Sequence, residues 1–201
     1  MTIALIDYGA GNLASVRKGL VAAGAEVVTP VSPAALNGCS AIVVPGVGHF
    51  AATAALHDGW RDAIRRRVEA GVPLLGICLG MQWLFEGSDE DPEIPGIGLL
   101  AGRCTRLTVE RPLKVPHVGW NTLTVSGSSA ILEGVESGTH VYFTHSFIAP
   151  VGPACAASSR HGDSFAAAVE SGHVAGVQFH PEKSGEAGIR ILRNFVAMTR
   201  R

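Results

Sequence analysis

The run Pro73-Leu74-Leu75-Gly76-Ile77 closes on Cys78, and Gly80 follows two residues later, at the start of the helix-compatible stretch Leu79 to Phe85. A run this short and apolar suits a strand covered on both faces, the setting of a parallel sheet between helices. Passing straight from such a strand into a helix needs a sharp turn, and flanking glycines permit the close backbone approach that the turn demands. The segment is the thiol counterpart of the G-x-S-x-G nucleophile elbow, which exposes its nucleophile at a helix N-terminus. There the helix dipole favours a thiolate, and free N–H groups favour an oxyanion.

The surrounding pattern supplies the rest of an α/β fold. Ile3 to Ile6 reads as a strand closed by Asp7, Gly9 and Gly11, and Asn12 can cap a helix reaching about Ala23, which Gly24 ends. Glu26 to Thr29 and Ala41 to Val44 are two further short β-branched runs. Ala51 to Ala70 is expected as one helix, with Arg61, Asp62, Arg65 and Arg66 outward and Ala63, Ile64 and Val68 inward. Beyond Phe85 the pattern changes to Gly- and Pro-rich turns with strand candidates at Leu107 to Val109, Leu123 to Val125 and Val141 to Phe143, partly antiparallel. Val174 to Phe179 gives a last buried strand, and Glu186 to Met198 a closing helix striped by Ile189, Ile191, Leu192, Phe195 and Val196. The expected architecture is α/β, a single-domain open three-layer sandwich over residues 1–201 whose central sheet is mostly parallel, flavodoxin-like, with some antiparallel strands in its second half.

Charge narrows the partners. Sixteen Lys and Arg against 17 Asp and Glu leave a formal net charge of -1, which provides no basic footprint for nucleic acid or an anionic membrane. No apolar run approaches the roughly 18 residues of a membrane span, and the N-terminal segment reaches Asp7 without a basic leader. Cys39, Cys78, Cys104 and Cys155 are too scattered for a disulfide scaffold, which fits reduced thiols and a cytoplasmic protein. Eight histidines without HxH, HExxH or CxxC spacing give no metal site. No cofactor is expected.

An elbow thiol needs a base. Buried cysteines are mostly core residues, and Cys39, Cys104 and Cys155 are read so, as His57, His161 and His173 are read as surface or satisfied histidines. His180, in Val177-Gln178-Phe179-His180-Pro181-Glu182, lies where a buried strand ends. If Pro181 keeps the chain extended, Glu182 projects to the same side as His180 and fixes its tautomer. Pro45-Gly46-Val47-Gly48 follows another strand, and its glycines allow a peptide to reorient an N–H toward an oxyanion. Cys78, His180 and Glu182 are thus the candidate triad.

GICLGMQ at 76–82 and VQFHPEKS at 177–184 closely resemble the class I (triad) glutamine amidotransferases. IDYGAGNLASV at 6–16, PGVGHF at 45–50, PHVGWN at 116–121 and YFTHSF at 142–147 are similar to the glutaminase subunits of imidazole glycerol phosphate synthases, and the match runs from end to end. The resemblance implies a glutamyl thioester at Cys78 and ammonia passed to a separate (β/α)8-barrel cyclase subunit. That partner would form imidazole glycerol phosphate and an aminoimidazole carboxamide ribonucleotide in histidine biosynthesis. It further implies Gln82 and Glu90 as holders of the glutamine amino acid moiety, helped by Thr144, His145 and Ser146. Gly48 would border the oxyanion strand, Val47 would carry the turning peptide, and Leu79 N–H would be the second oxyanion donor. Asn12, Trp120, Tyr142 and Lys183 would face the cyclase, although Trp120 also reads as a core aromatic and Lys183 as a solvated side chain. Phe147 stands where a tyrosine is common, and Ser15 where some members carry asparagine.

Two alternatives remain at this level. A glutaminase serving pyridoxal phosphate or anthranilate synthesis, or a free-standing γ-glutamyl hydrolase, would share the triad, but PHVGWN and YFTHSF argue against these. A non-catalytic α/β module would leave Cys78, His180, Glu182 and the Gly-rich segment without a purpose.

Overall fold

The computed structural model of the chain describes residues 1–56 and 59–199; the expectation for His57 falls outside them. The N-terminal half alternates strand and helix: β1 Thr2–Leu5, α1 Leu13–Ala22, β2 Glu26–Val28, β3 Ala41–Val44, α2 Trp60–Glu69, β4 Leu74–Ile77 and α3 Leu79–Leu84. Short strands then dominate: β5 Gly87–Ser88, β6 Asp91–Pro95, β7 Arg103–Arg106, β8 His117–Thr122, β9 Thr124–Val125, β10 His140–His145 and β11 Phe147–Ile148. β12 Cys155–His161, β13 Asp163–Ser171, β14 Val174–Val177 and α4 Gly185–Met198 complete the chain.

The main sheet has eight strands in the order β2-β1-β3-β4-β14-β13-β12-β9. Its first five are parallel, and β13, β12 and β9 add antiparallel strands at one side. β8 and β10 form a separate antiparallel pair, and β11-β7-β5-β6 a small mixed sheet. Alternation along the parallel strands divides the core. Ile3, Leu5, Val43 and Val177 pack toward Leu20 of α1 and Ile191, Leu192 and Phe195 of α4. Ala4, Ile6, Ile42 and Val44 pack toward Ile64 of α2 and Met81, Trp83 and Leu84 of α3. Side chains alternate across a strand, so a strand apolar at every position needs helices on both faces, and every residue of β3, β4 and β14 is buried.

Three sequence expectations are corrected. Ala51 to Ala70 is not one helix: a 3-10 segment Phe50–Leu56 precedes α2, and Gly59, at φ 88, begins α2 from a left-handed conformation that a continuous helix would not contain. Leu107 to Val109 is not a strand; pairing stops at Arg106, and the Leu107 and Thr108 amides go to the Ser146 carbonyl and the Asp163 carboxylate. Pro181 does not keep the chain extended, because Pro181–Lys183 is a 3-10 turn.

Candidate active site

Cys78 is at φ 54, the one non-glycine at positive φ among the described residues, and it joins β4 to α3. An L-residue is held there only when its surroundings over-determine it. They do so through glycines: a Cβ on Gly80 would strike the Val44 carbonyl, and one on Gly76 would lie 2.6 Å from the Gly80 carbonyl oxygen. The α3 start is thereby pressed against the ends of β3 and β4. The thiol donates to the Thr144 carbonyl at 3.8 Å, and its sulphur accepts from Gln178 Nε2 at 3.6 Å.

His180 follows β14, the neighbour of β4 in the sheet, which brings imidazole and thiol to the same edge. Its N–H donates to the Tyr142 carbonyl at 2.9 Å, and its own carbonyl accepts from Ser184 Oγ at 2.7 Å. The 3-10 turn that replaces the expected extended chain folds Glu182 back, and Nδ1 lies 2.8 Å from Glu182 Oε1. A carboxylate only accepts, so Nδ1 carries the proton and Nε2 faces the thiol. Gly188 of α4 leaves room for this turn: a Cβ there would strike the Pro181 carbonyl. Burial lowers the proton affinity of His180, but hydrogen bonding to Cys78 and Glu182 and their negative charge outweigh it and raise the pKa to about 9. Nε2 nevertheless makes no well-aligned hydrogen bond, so imidazole and thiol are neighbours whose alignment awaits a substrate.

A hollow of about 290 Å³ opens in front of the thiol. Gly48, Leu79, Gln82 and Glu90 line one side, and Thr144, His145 and Ser146 the other, so the residues expected to hold substrate are brought together. His180 is buried behind Cys78, and Val47 lies outside the hollow, 40% exposed. The Leu79 N–H, an expected oxyanion donor, points at the Gly46 carbonyl at 3.3 Å. The carbonyl at this amide belongs to Gly46, so it is the Gly46–Val47 peptide that lies against the Leu79 N–H. Gly48, at φ 99, supplies the flexibility next to it.

Two expected substrate holders already have partners. Gln82 Nε2 donates to the Phe147 carbonyl and to Gln178 Oε1, each at 3.0 Å, leaving only its own carbonyl oxygen for a ligand. Glu90 Oε2 accepts the Phe50 N–H at 2.8 Å. His145 is more constrained still. Its Nδ1 lies 3.0 Å from the Phe147 carbonyl, which can only accept, so Nε2 is left to accept from His117 Nδ1 at 3.0 Å. His117 Nε2 in turn faces Asn121 Nδ2 at 3.3 Å. Both imidazoles are thus neutral. Burial, and then neighbouring histidines, lower His117 to about 4 and His145 to about 3. His161, read from sequence as unremarkable, stacks on His117 with ring centroids 4.1 Å apart. The pair forms a wall between the thiol's hollow and a larger open cleft of about 870 Å³ that His117, Asn121 and His161 line and that contains no thiol.

On the outer face Trp120 and Tyr142 are paired in register across β8 and β10, and Lys183 Nζ lies 5.7 Å from the Tyr142 ring centroid. Trp120 is 56% exposed, so it is not a core aromatic. Asn12 caps α1 by accepting from the Ser15 N–H at 3.2 Å. Sequence reasoning passed over Gln178, His117 and Tyr8. Gln178 had a signal, as the one polar side chain before His180 in an apolar run. Tyr8 did not: its hydroxyl is buried without a partner beside Gly46, and burial and then Cys78 raise its pKa. No group of three or more metal-ligating side chains is assembled among the described residues.

Residues 4–198 match the family model described as glutamine amidotransferase class-I. The chain is 49% identical to the imidazole glycerol phosphate synthase subunit HisH of Gloeobacter violaceus, covering 96% of this chain and 88% of that one. It is 42% identical to the protein of the same name from Methanothermobacter thermautotrophicus, covering 98% and 99%. Among solved structures, one titled as a glutamine amidotransferase superimposes with a TM-score of 0.77 at 26% identity, covering 98% of this chain and 99% of that one. PurLQS from Thermotoga maritima superimposes with a TM-score of 0.74 at 19% identity, covering 98% and 97%, a likeness of fold. An elbow thiol, a carboxylate-fixed imidazole on the adjacent strand and a sheet of this order accord with these matches: the chain belongs to the class-I glutamine amidotransferases and, within them, to the family of HisH subunits of imidazole glycerol phosphate synthase.

Proposed function

We propose that residues 1–201 form one glutaminase domain, which hydrolyses glutamine through a Cys78 thioester and delivers ammonia to a separate (β/α)8-barrel cyclase in histidine biosynthesis, in the cytoplasm. The observation that carries the reading is the strained Cys78 elbow facing an imidazole whose other nitrogen is held by Glu182. Nε2 of His180 faces the thiol and takes its proton, and Glu182, which holds Nδ1, stabilises the imidazolium that forms. The thiolate then adds to the side-chain carbonyl carbon of glutamine. Collapse of that adduct breaks the C–N bond while the imidazolium returns its proton to the departing ammonia. Neutral His180 next deprotonates a water that attacks the thioester, and glutamate leaves as the sulphur regains its proton.

The oxyanion needs donors, and the resting geometry withholds one. The Leu79 N–H faces the Gly46 carbonyl, so the Pro45 to Gly48 segment must turn before that amide and the Val47 peptide can serve the adduct. Loss of such a donor costs about 2.7 to 4 kcal/mol of barrier, so the isolated chain is a feeble glutaminase until its partner shifts the segment. Trp120, Tyr142 and Lys183, grouped on the outer face, and the exposed Asn12 at the start of α1 are the proposed partner contacts. Glutamate release by this chain, alone and with the barrel cyclase and its nucleotide ligand, tests the reading. Release that appears only with the cyclase supports it; full activity alone, or none with the cyclase, contradicts it.

A further inference from the structure

Gln178 is fully buried at the end of β14, and its orientation is determined by a chain of fixed donors. The Phe147 carbonyl only accepts, so the end of Gln82 that faces it is the NH2 group. The same nitrogen lies 3.0 Å from Gln178, so the atom it meets there is the Gln178 oxygen. An amide flip at either residue would set like against like, donor to donor or acceptor to acceptor. The Gln178 NH2 therefore faces Cys78 Sγ, at 3.6 Å. The thiol's other polar neighbour, the Thr144 carbonyl, can hold only the protonated form.

We infer that Gln178 is a further catalytic residue, an amide donor that stabilises the Cys78 thiolate through a direct N–H···S hydrogen bond. The inference rests on the reading of Cys78 as the nucleophile. A hydrogen bond to a charged acceptor is stronger than the same bond to a neutral one, so this contact favours ionisation of the thiol. The ionisable groups facing the sulphur are otherwise His180, with Glu182 behind it, and Tyr8 from the loop after β1. The β10 strand presents His145, which is neutral, and the β5–β6 turn presents Glu90 across the hollow. Gln178 is uncharged, so it adds stabilisation to the thiolate without competing for the His180 proton.

The test is the rate of Cys78 alkylation by iodoacetamide against pH in the full chain. The modified peptides are quantified by mass spectrometry, with Cys155 in the same sample as reference. Gln178→Met removes the donor at similar volume. Gln178→Glu keeps an acceptor for Gln82 but, ionised, sets negative charge against the sulphur. Both should move the midpoint up by about one pH unit while the Cys155 profile is unchanged. If the Met variant does not fold, by circular dichroism, Gln178→Ala, which also removes the donor without adding charge, takes its place with the same expected shift. Folded variants with an unmoved midpoint overturn the inference and leave the proposed function standing. Glutamine hydrolysis that survives Cys78→Ala overturns both.

Discussion

The parallel half of the main sheet and the separate β8–β10 pair build the two walls of one hollow by different means. In β1, β3, β4 and β14 position is set by burial: every side chain of β3, β4 and β14 is inside, and the Cys78 elbow and His180 are delivered where adjacent strands end. Across the hollow, β8 and β10 alternate buried residues with more exposed ones, and position is set by polar contacts such as the chain from Asn121 through His117 and His145 to the Phe147 carbonyl. One wall is rigid because it cannot be repacked, and the other because its donors and acceptors match in only one arrangement.

The contrast breaks most visibly at the base. His180→Ala should cut glutamine hydrolysis with the partner present by a factor on the order of 10⁴, measured as kcat/KM, because nucleophile and base act as a unit. Next comes Gly80→Ala, whose methyl group would enter the Val44 carbonyl. It should destabilise the fold by about 3 kcal/mol in denaturant titration, since this wall has no room to yield.

On the polar wall the expected effect is smaller and depends on pH. His117 and His145 take protons near 6.5 when unfolded but only near about 4 and about 3 in the fold. Between these values the unfolded chain binds more protons, so stability falls as pH drops below 6.5. Thermal midpoints should decline across that range, and less steeply in His145→Gln. His180 runs the other way. Its raised pKa contributes stability that is full below 6.5 and lost as pH rises through about 9. Smallest is the outer face, where Trp120→Ala should leave stability within about 0.5 kcal/mol and weaken cyclase binding about tenfold in titration calorimetry.

The same contrast explains what could be read from sequence. Ala41 to Val44 and the residues around Cys78 lie in continuous apolar runs, where periodicity and glycines leave few choices, and those elements appear within a residue or two. Strands β12 and β13 were not anticipated, since Cys155–His161 mixes alanine, serine and arginine and is held by its neighbours. The triad residues were legible as motifs, but not the 3-10 turn that brings Glu182 to His180. Its formation depends on Ser184 bonding the His180 carbonyl and on Gly188 of α4 leaving space for the Pro181 carbonyl. His117 and the Gly46 carbonyl were hidden because their partners lie far away in sequence, and a hydrogen bond of that kind leaves no local pattern.

The central claim, that the buried wall presents Cys78 as a nucleophile, is tested most directly by quenching the chain with the proposed cyclase partner during glutamine turnover and mapping adducts by peptide mass spectrometry. The account predicts one glutamyl group on the peptide bearing Cys78, more of it at low pH, where the thioester is hydrolysed slowly, and none in Cys78→Ser. Turnover with no glutamyl adduct on that peptide, or with the adduct on Cys39, Cys104 or Cys155, would contradict it.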